Sequence, residues 1–182
     1  MKTRAGKRGF TLVEMLVVIA ILGILMAMMV PAAGLILKRT KIASAKGDAG
    51  VVTTVLLKYQ AEYNRWPSTY VPGSMDKTDA AWVNMMSPQP NSGPVPTNPK
   101  RIILFEPGGG ALGDAAKGSA FPGAFVDPWD KPYEFVLDQT GSGNLANPDV
   151  DKGGEISARV LAWSAGPDGD YTTWADNVKS WE

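Results

Sequence analysis

Gly9-Phe10-Thr11-Leu12-Val13-Glu14 opens the stretch whose reading decides the fold, and an almost unbroken apolar run follows it to Leu37. Ahead of it lies a short leader, residues 1–9, in which Lys2, Arg4, Lys7 and Arg8 are basic and nothing is acidic. No residue between positions 15 and 30 carries a charge. About 20 apolar residues cross a bilayer as a helix, so residues 10–37 are long enough to span it with some tilt. A basic leader before such a span predicts a cytoplasmic N-terminus and an outward C-terminal domain. The anomaly is Glu14. A carboxylate in a span costs roughly 2.5–3.5 kcal/mol at the bilayer centre, so it needs a partner or a function.

An ordinary secretory signal is the first alternative, with Pro31-Ala32-Ala33 as a weak cleavage site. The apolar core of such a signal is about 7–15 residues. The run here is much longer, and a secretory signal has no use for Glu14.

A basic leader ending in Gly9, then Phe10-Thr11-Leu12-Val13-Glu14 and an apolar helix, resembles the signature of type IV pilins and pseudopilins. The resemblance implies cleavage between Gly9 and Phe10 by a prepilin peptidase that also N-methylates Phe10. Glu14 is then the fifth mature residue, as the family pattern requires, and Pro31 falls where pilins commonly carry a proline. Cleavage creates an α-amino group on Phe10 that is mostly cationic at neutral pH, at the positive end of a helix dipole. The resemblance further implies that Glu14 of one subunit meets Phe10 of its neighbour in a helical filament, which offsets the cost of the buried carboxylate and sets the axial stagger. A chain that keeps its leader lacks this amine and is expected not to assemble.

Composition narrows the alternatives. The 182 residues suffice for one modest domain beyond the apolar helix. Formal net charge is zero, but acidic residues outnumber basic ones from position 120 onward. No basic stripe with interleaved aromatics supports nucleic-acid binding. Cysteine and histidine are absent, which excludes disulfides, Cys/His zinc sites, a cysteine nucleophile and a Ser-His-Asp triad. Many type IV pilins close their C-terminal region with a disulfide. The departure from that pattern shifts the resemblance toward secretion pseudopilins, and something else is expected to tie down the C-terminal loop.

Beyond the apolar run the helix is expected to continue. Ile42, Ala45, Ala49, Val52, Leu56, Tyr59 and Tyr63 recur at steps of three and four, one apolar helical face. Lys46, Thr53, Lys58, Gln60 and Asn64 fall elsewhere. Pro31 is expected to bend or loosen the helix, and Trp66-Pro67 to end it. The Tyr-rich close of this helix is similar to that of the major pseudopilins of type II secretion. Residues 67–124 are rich in Pro, Gly, Ser and Asn and read as a variable loop region that carries partner specificity. Within it, residues 82–86 suggest a short helix and residues 101–105 a strand. Gly108-Gly109-Gly110 lacks the lysine and hydroxyl of a phosphate loop.

Asp127-Pro128-Trp129-Asp130-Lys131-Pro132-Tyr133 is a turn by its Asp and Pro positions, structural rather than chemical. It resembles the Asp-Pro-Trp-Gly-x-Pro-Tyr turn of major pseudopilins, with Asp130 in the glycine's place. Strands are expected over residues 134–137 and 159–163. Between them, residues 138–155 read as a solvated hairpin, because the glutamate that would close a calcium loop is replaced by Val160. The closing stretch from Ser164 to Trp181 resembles the calcium-binding loop of major pseudopilins. The resemblance implies one calcium ion held by oxygens of Ser164, Asp168, Asp170, Asp176 and Asn177, with Gly166 and Gly169 turning carbonyls inward. Calcium takes 6–8 oxygen ligands, and Asn177 in place of a second Asp removes one charge from the set.

The expected fold is α+β and pilin-like. A long N-terminal helix, half transmembrane and half amphipathic, packs on a small antiparallel sheet. The expected parts are a cleaved leader (1–9), the membrane and assembly helix (10–37), its soluble half (38–66), the loop region (67–124), and the sheet with its Asp-rich loop (125–182). The expected function is that of a structural, non-catalytic subunit of a type II secretion pseudopilus. Its expected partners are itself, the prepilin peptidase, other pseudopilins, the inner-membrane assembly platform and the membrane, but no nucleic acid. The alternatives are a type IV pilin of a surface fibre and a membrane-anchored hydrolase built on paired carboxylates. Scattered acids alone do not make an enzyme.

Overall fold

The computed structural model describes residues 9–71, 73–90 and 95–182, and of residues 28–33 the backbone alone. The basic leader residues Lys2, Arg4, Lys7 and Arg8, and the Pro31 side chain, lie outside the described residues. Helix α1 runs over Leu12–Tyr63, 52 residues. The chain divides into two compact units, Met1–Thr40 and Lys41–Glu182.

In the first unit, α1 presents apolar side chains on all sides, with Leu12 at 82 % and Ile19 at 66 % exposure. Among the described residues, no helix is long and apolar enough to cross a membrane.

In the second unit, α1 behaves as its periodicity predicts. Ala45, Ala49, Val52, Leu56 and Tyr59 are fully buried, while Lys46 and Lys58 stay exposed. The helix stops at Tyr63, ahead of Trp66-Pro67, because Asn64 takes a left-handed conformation (φ 51°). A short polar side chain tolerates that region better than most, so the stop comes from Asn64 rather than from the proline.

The sheet facing this helix has the order β1-β2-β5-β6, antiparallel throughout, built from Asp76–Lys77, Glu134–Leu137, Val160–Ser164 and Val178–Lys179. Alternation along the strands sorts the side chains into two layers. Phe135, Leu137, Val160 and Ala162 join the α1 stripe, together with Trp82, Phe105, Phe125 and Tyr133. Val136, Leu161 and Trp163 form a second cluster, against which Tyr171, Trp174 and Trp181 pack. Both faces are covered, which is why all four residues of β2 are buried.

Helix α2, Ala80–Met86, includes the expected 82–86 segment and is capped by the Asp79 carboxylate on the Trp82 N–H. The strand expected over 101–105 does not form. Arg101 has φ 53°, and the N–H groups of Leu104 and Phe105 both donate to the Met86 carbonyl. The segment is pinned instead by buried Asn98, which donates to the carbonyls of Met85 and Ile102 and accepts from the Ile102 N–H. Residues 138–155 do form a hairpin, β3 (Leu145–Ala146) on β4 (Glu155–Ile156). It is not uniformly solvated: Asp149 is buried and lies 3.8 Å from the ammonium of equally buried Lys179.

Candidate functional site

Two places carry the residues singled out in the sequence, one at the head of α1 and one in the C-terminal loop.

At the head of α1, Gly9 and Phe10 precede the helix and are exposed, Phe10 at 75 %. Thr11 is the cap. Its N–H and hydroxyl both donate to Glu14 Oε2 at 2.8 Å, and its Oγ1 accepts from the Glu14 N–H at 3.2 Å. This is a reciprocal capping box, Thr and Glu three apart, satisfying donors that the first helical turn leaves open. Among the described residues, then, one oxygen of the Glu14 carboxylate takes both Thr11 donors and no ion pair is made. The carboxylate sits one helical turn from Phe10, on the residue that orders the helix start. The capping role is legible in Thr-x-x-Glu, although the charged partner expected from the sequence is what draws attention to Glu14.

The C-terminal loop is built from the end of β5 to the start of β6. Gly166 adopts φ 71° and Gly169 φ 71°, as the expected inward turns require. At Gly166 a Cβ would lie 2.3 Å from the Asp176 carbonyl oxygen, so the two ends of the loop touch there. Asp168 and Asp170 are exposed and order their own turns: Asp168 Oδ1 accepts from the Asp170 N–H at 2.9 Å, and Asp170 Oδ1 accepts from the Thr172 N–H and hydroxyl at 2.9 and 2.7 Å. Those bonds hold the Asp170 carboxyl below its ordinary range. Asp176 Oδ2 accepts from the Asp168 N–H at 3.3 Å, and Asn177 donates its amide to the Tyr171 carbonyl at 2.9 Å.

Two oxygens of this loop remain. Asp176 Oδ1 and Asn177 Oδ1 are buried and have no hydrogen-bond partner among the described residues. A buried acceptor without a partner costs roughly 1–3 kcal/mol, and a carboxylate and an amide oxygen are of the hard type that calcium takes. Among the described residues no group of three or more acidic side chains is placed to hold a metal. An ion here would therefore take Asp176 and Asn177 with backbone carbonyls, without the expected Asp168 and Asp170 carboxylates joining Asp176 in one cluster. Ser164, expected among the ligands, is engaged elsewhere. Its hydroxyl donates to Asp127 Oδ2 at 2.5 Å and its Oγ accepts from the Gly166 N–H at 3.0 Å, both buried.

Asp127 is the residue to which the sequence assigns only a turn. It is 4 % exposed. Its Oδ1 accepts from the N–H groups of Trp129 and Lys131, each at 2.9 Å, and Asp130 takes φ 65° in the place of the glycine. Burial pushes the Asp127 carboxyl above its ordinary range, against the Ser164 hydroxyl and the two N–H donors that favour the charged form.

The prokaryotic N-terminal methylation motif matches residues 4–30. The type II secretion system core protein G of Pseudomonas aeruginosa is 28 % identical over 137 residues, covering 75 % of this chain and 78 % of that protein. No solved structure matches the chain.

Proposed function

We propose that this chain, which carries a prepilin-type methylation motif and is a homologue of a type II secretion core protein G, is a structural subunit of a secretion pseudopilus. The observation that carries the reading is the register at the head of α1. The Gly9-Phe10 junction lies outside the helix, and Glu14 lies in its first turn. The apolar surface over residues 12–27 supports it further. Such a surface needs a cover, which lipid provides before assembly and neighbouring helices provide after. The chain then inserts with its leader in the cytoplasm, is cut and methylated by a prepilin peptidase, and enters a filament with its second unit in the periplasm. Its work is assembly, and no step needs a catalytic side chain.

The first test is the mature N-terminus. Mass spectrometry of chain extracted from membranes is expected to find N-methylated Phe10 as the first residue when the peptidase is present, and the intact leader when it is absent. A mature chain beginning near Gly34 would be the product of an ordinary signal peptidase and would sink the reading.

The proposal includes one calcium ion in the loop over residues 166–177, held by Asp176 and Asn177 with loop carbonyls. The ion would neutralise acidic side chains and occupy the two unpartnered oxygens. Binding to the folded state alone stabilises it by about 2.7 kcal/mol at a hundredfold excess over Kd, roughly 8 °C in Tm for a chain of this size. Full-length chain in detergent is expected to melt higher in calcium than in chelator. Magnesium is expected to substitute poorly, since it demands octahedral geometry and sheds water reluctantly. Asp176→Ala is expected to remove the calcium-dependent shift. Asp149→Ala is expected to lower Tm in both conditions and keep the shift, because Asp149 serves Lys179 instead. Equal Tm values in calcium and chelator would return the loop to an acidic turn.

A further inference from the structure

We infer that Asp127, in the turn over residues 127–133, is a positioning residue for the C-terminal loop, acting through Ser164 to hold Asp176 and Asn177 in their cation-accepting arrangement. The inference rests on the reading of that loop as a calcium site.

One carboxylate divides its two oxygens between two segments. Oδ1 accepts from the Trp129 and Lys131 N–H groups of its own turn, while Oδ2 accepts from the Ser164 hydroxyl, 37 positions away in the chain. Ser164 Oγ in turn accepts from the Gly166 N–H. Gly166 is the residue whose Cα rests against the Asp176 carbonyl, with no room for a Cβ. The path from Asp127 to the two unpartnered oxygens is therefore two hydrogen bonds and one close backbone contact, and both bonds are shielded from water. A hydrogen bond to an ionised acceptor is about twice as strong as a neutral one, so the relay is stiffest with Asp at position 127.

Two further contacts run from the same turn to the same loop. The Lys131 side chain packs on Gly169, where a Cβ would lie 2.9 Å from its Cε. The Tyr171 hydroxyl donates to the Pro132 carbonyl. Positions 127, 131 and 132 thus meet positions 164, 169 and 171 in order, and the turn serves as a bed for the loop. In a chain without cysteine, this bed does what a covalent closure would do.

The variants that separate this from general stability are Asp127→Asn and Ser164→Ala. Asparagine keeps an oxygen for the Trp129 and Lys131 N–H groups and removes the acceptor for the Ser164 hydroxyl. Groups that orient metal ligands typically contribute about 10–100-fold to affinity. The probe is terbium, a calcium substitute whose luminescence is sensitised by nearby indoles such as Trp174, titrated into full-length chain in detergent and displaced by calcium. Each single variant is expected to bind at least about tenfold more weakly. The double variant is expected to bind no more weakly than the worse single, since both cut one relay. Tm in chelator is read in parallel and is expected to fall far less than the affinity does. If Asp127→Asn fails to fold, Ser164→Ala alone decides by the same affinity measurement. A wild-type chain that binds with variants of unchanged affinity, or a double variant whose losses add, overturns this inference and leaves the calcium site standing. A wild-type chain that takes up neither ion overturns both.

Discussion

Glu14→Ala is expected to leave processing and insertion intact and to abolish filament formation. The sign follows from where the carboxylate sits. Among the described residues it bonds to Thr11 alone; losing that cap costs about 1 kcal/mol of helix stability. Removing a charge from the first turn of an apolar span eases insertion, by less than the roughly 2.5–3.5 kcal/mol that applies at the bilayer centre. The isolated subunit is thus no worse off in the membrane, and any defect belongs to assembly. On the proposed assembly, the contribution lost would be the pairing with a neighbour's Phe10 amine, made in a low dielectric where such pairs are strongest. Glu14→Gln sharpens the test. Glutamine fills the same place in a capping box but carries no charge, so it too is expected to fail. The readout is the fraction of processed chain recovered in sheared, sedimentable filaments. Wild-type yield from Glu14→Ala would end the pairing hypothesis. Wild-type yield from Glu14→Gln alone would reassign Glu14 to capping.

Gly166→Ala is expected to lower the melting temperature of the second unit sharply. At φ 71° an L side chain already costs about 1–2 kcal/mol. The new Cβ would also meet the Asp176 carbonyl oxygen at 2.3 Å and its carbon at 2.9 Å. Neither atom is the end of a flexible side chain, so the backbone must part, which costs about 1–3 kcal/mol more. The sum is roughly 3 kcal/mol, near 10 °C in Tm for a domain of this size. Gly154→Ala is the control. It has φ 78° but nothing within 4 Å of its Cβ, so it is expected to show the conformational cost alone. Equal melting of the two variants would mean that the contact between the loop ends contributes nothing.

What can be read from the sequence follows from the range of the interactions involved. The buried face of α1 is legible because a repeat of three and four needs only local information, and Ala45 through Tyr59 lie as that repeat places them. The left-handed turns at Gly166 and Asp130 are legible for the same reason. The segment 101–105 misleads because β-branched and aromatic residues report burial as much as pairing. Phe105 is buried, but its N–H answers to Met86 rather than to a strand. The bond between Asp127 and Ser164 has no local signature. A turn motif explains Asp127 by itself, and only the pairing of β5 with β2 and β6 brings the distant hydroxyl over it. Asp149 reads as solvated because it lies in a stretch rich in Asp, Asn and Gly; its cation, Lys179, lies on the last strand.

The rims of the sheet bear on a subunit that must polymerise in only one way. Each outermost strand is two residues long, Asp76–Lys77 on one side and Val178–Lys179 on the other. Each carries a lysine already engaged by an acid, Lys77 by Glu134 at 3.2 Å and Lys179 by Glu182 at 2.9 Å. Short margins, charged at β1 and buried at β6, deny a second molecule the row of open N–H and C=O groups that strand addition requires. Crowded copies are thereby kept from the off-pathway route of cross-strand fibres, and in the filament proposed above growth is left to the helices.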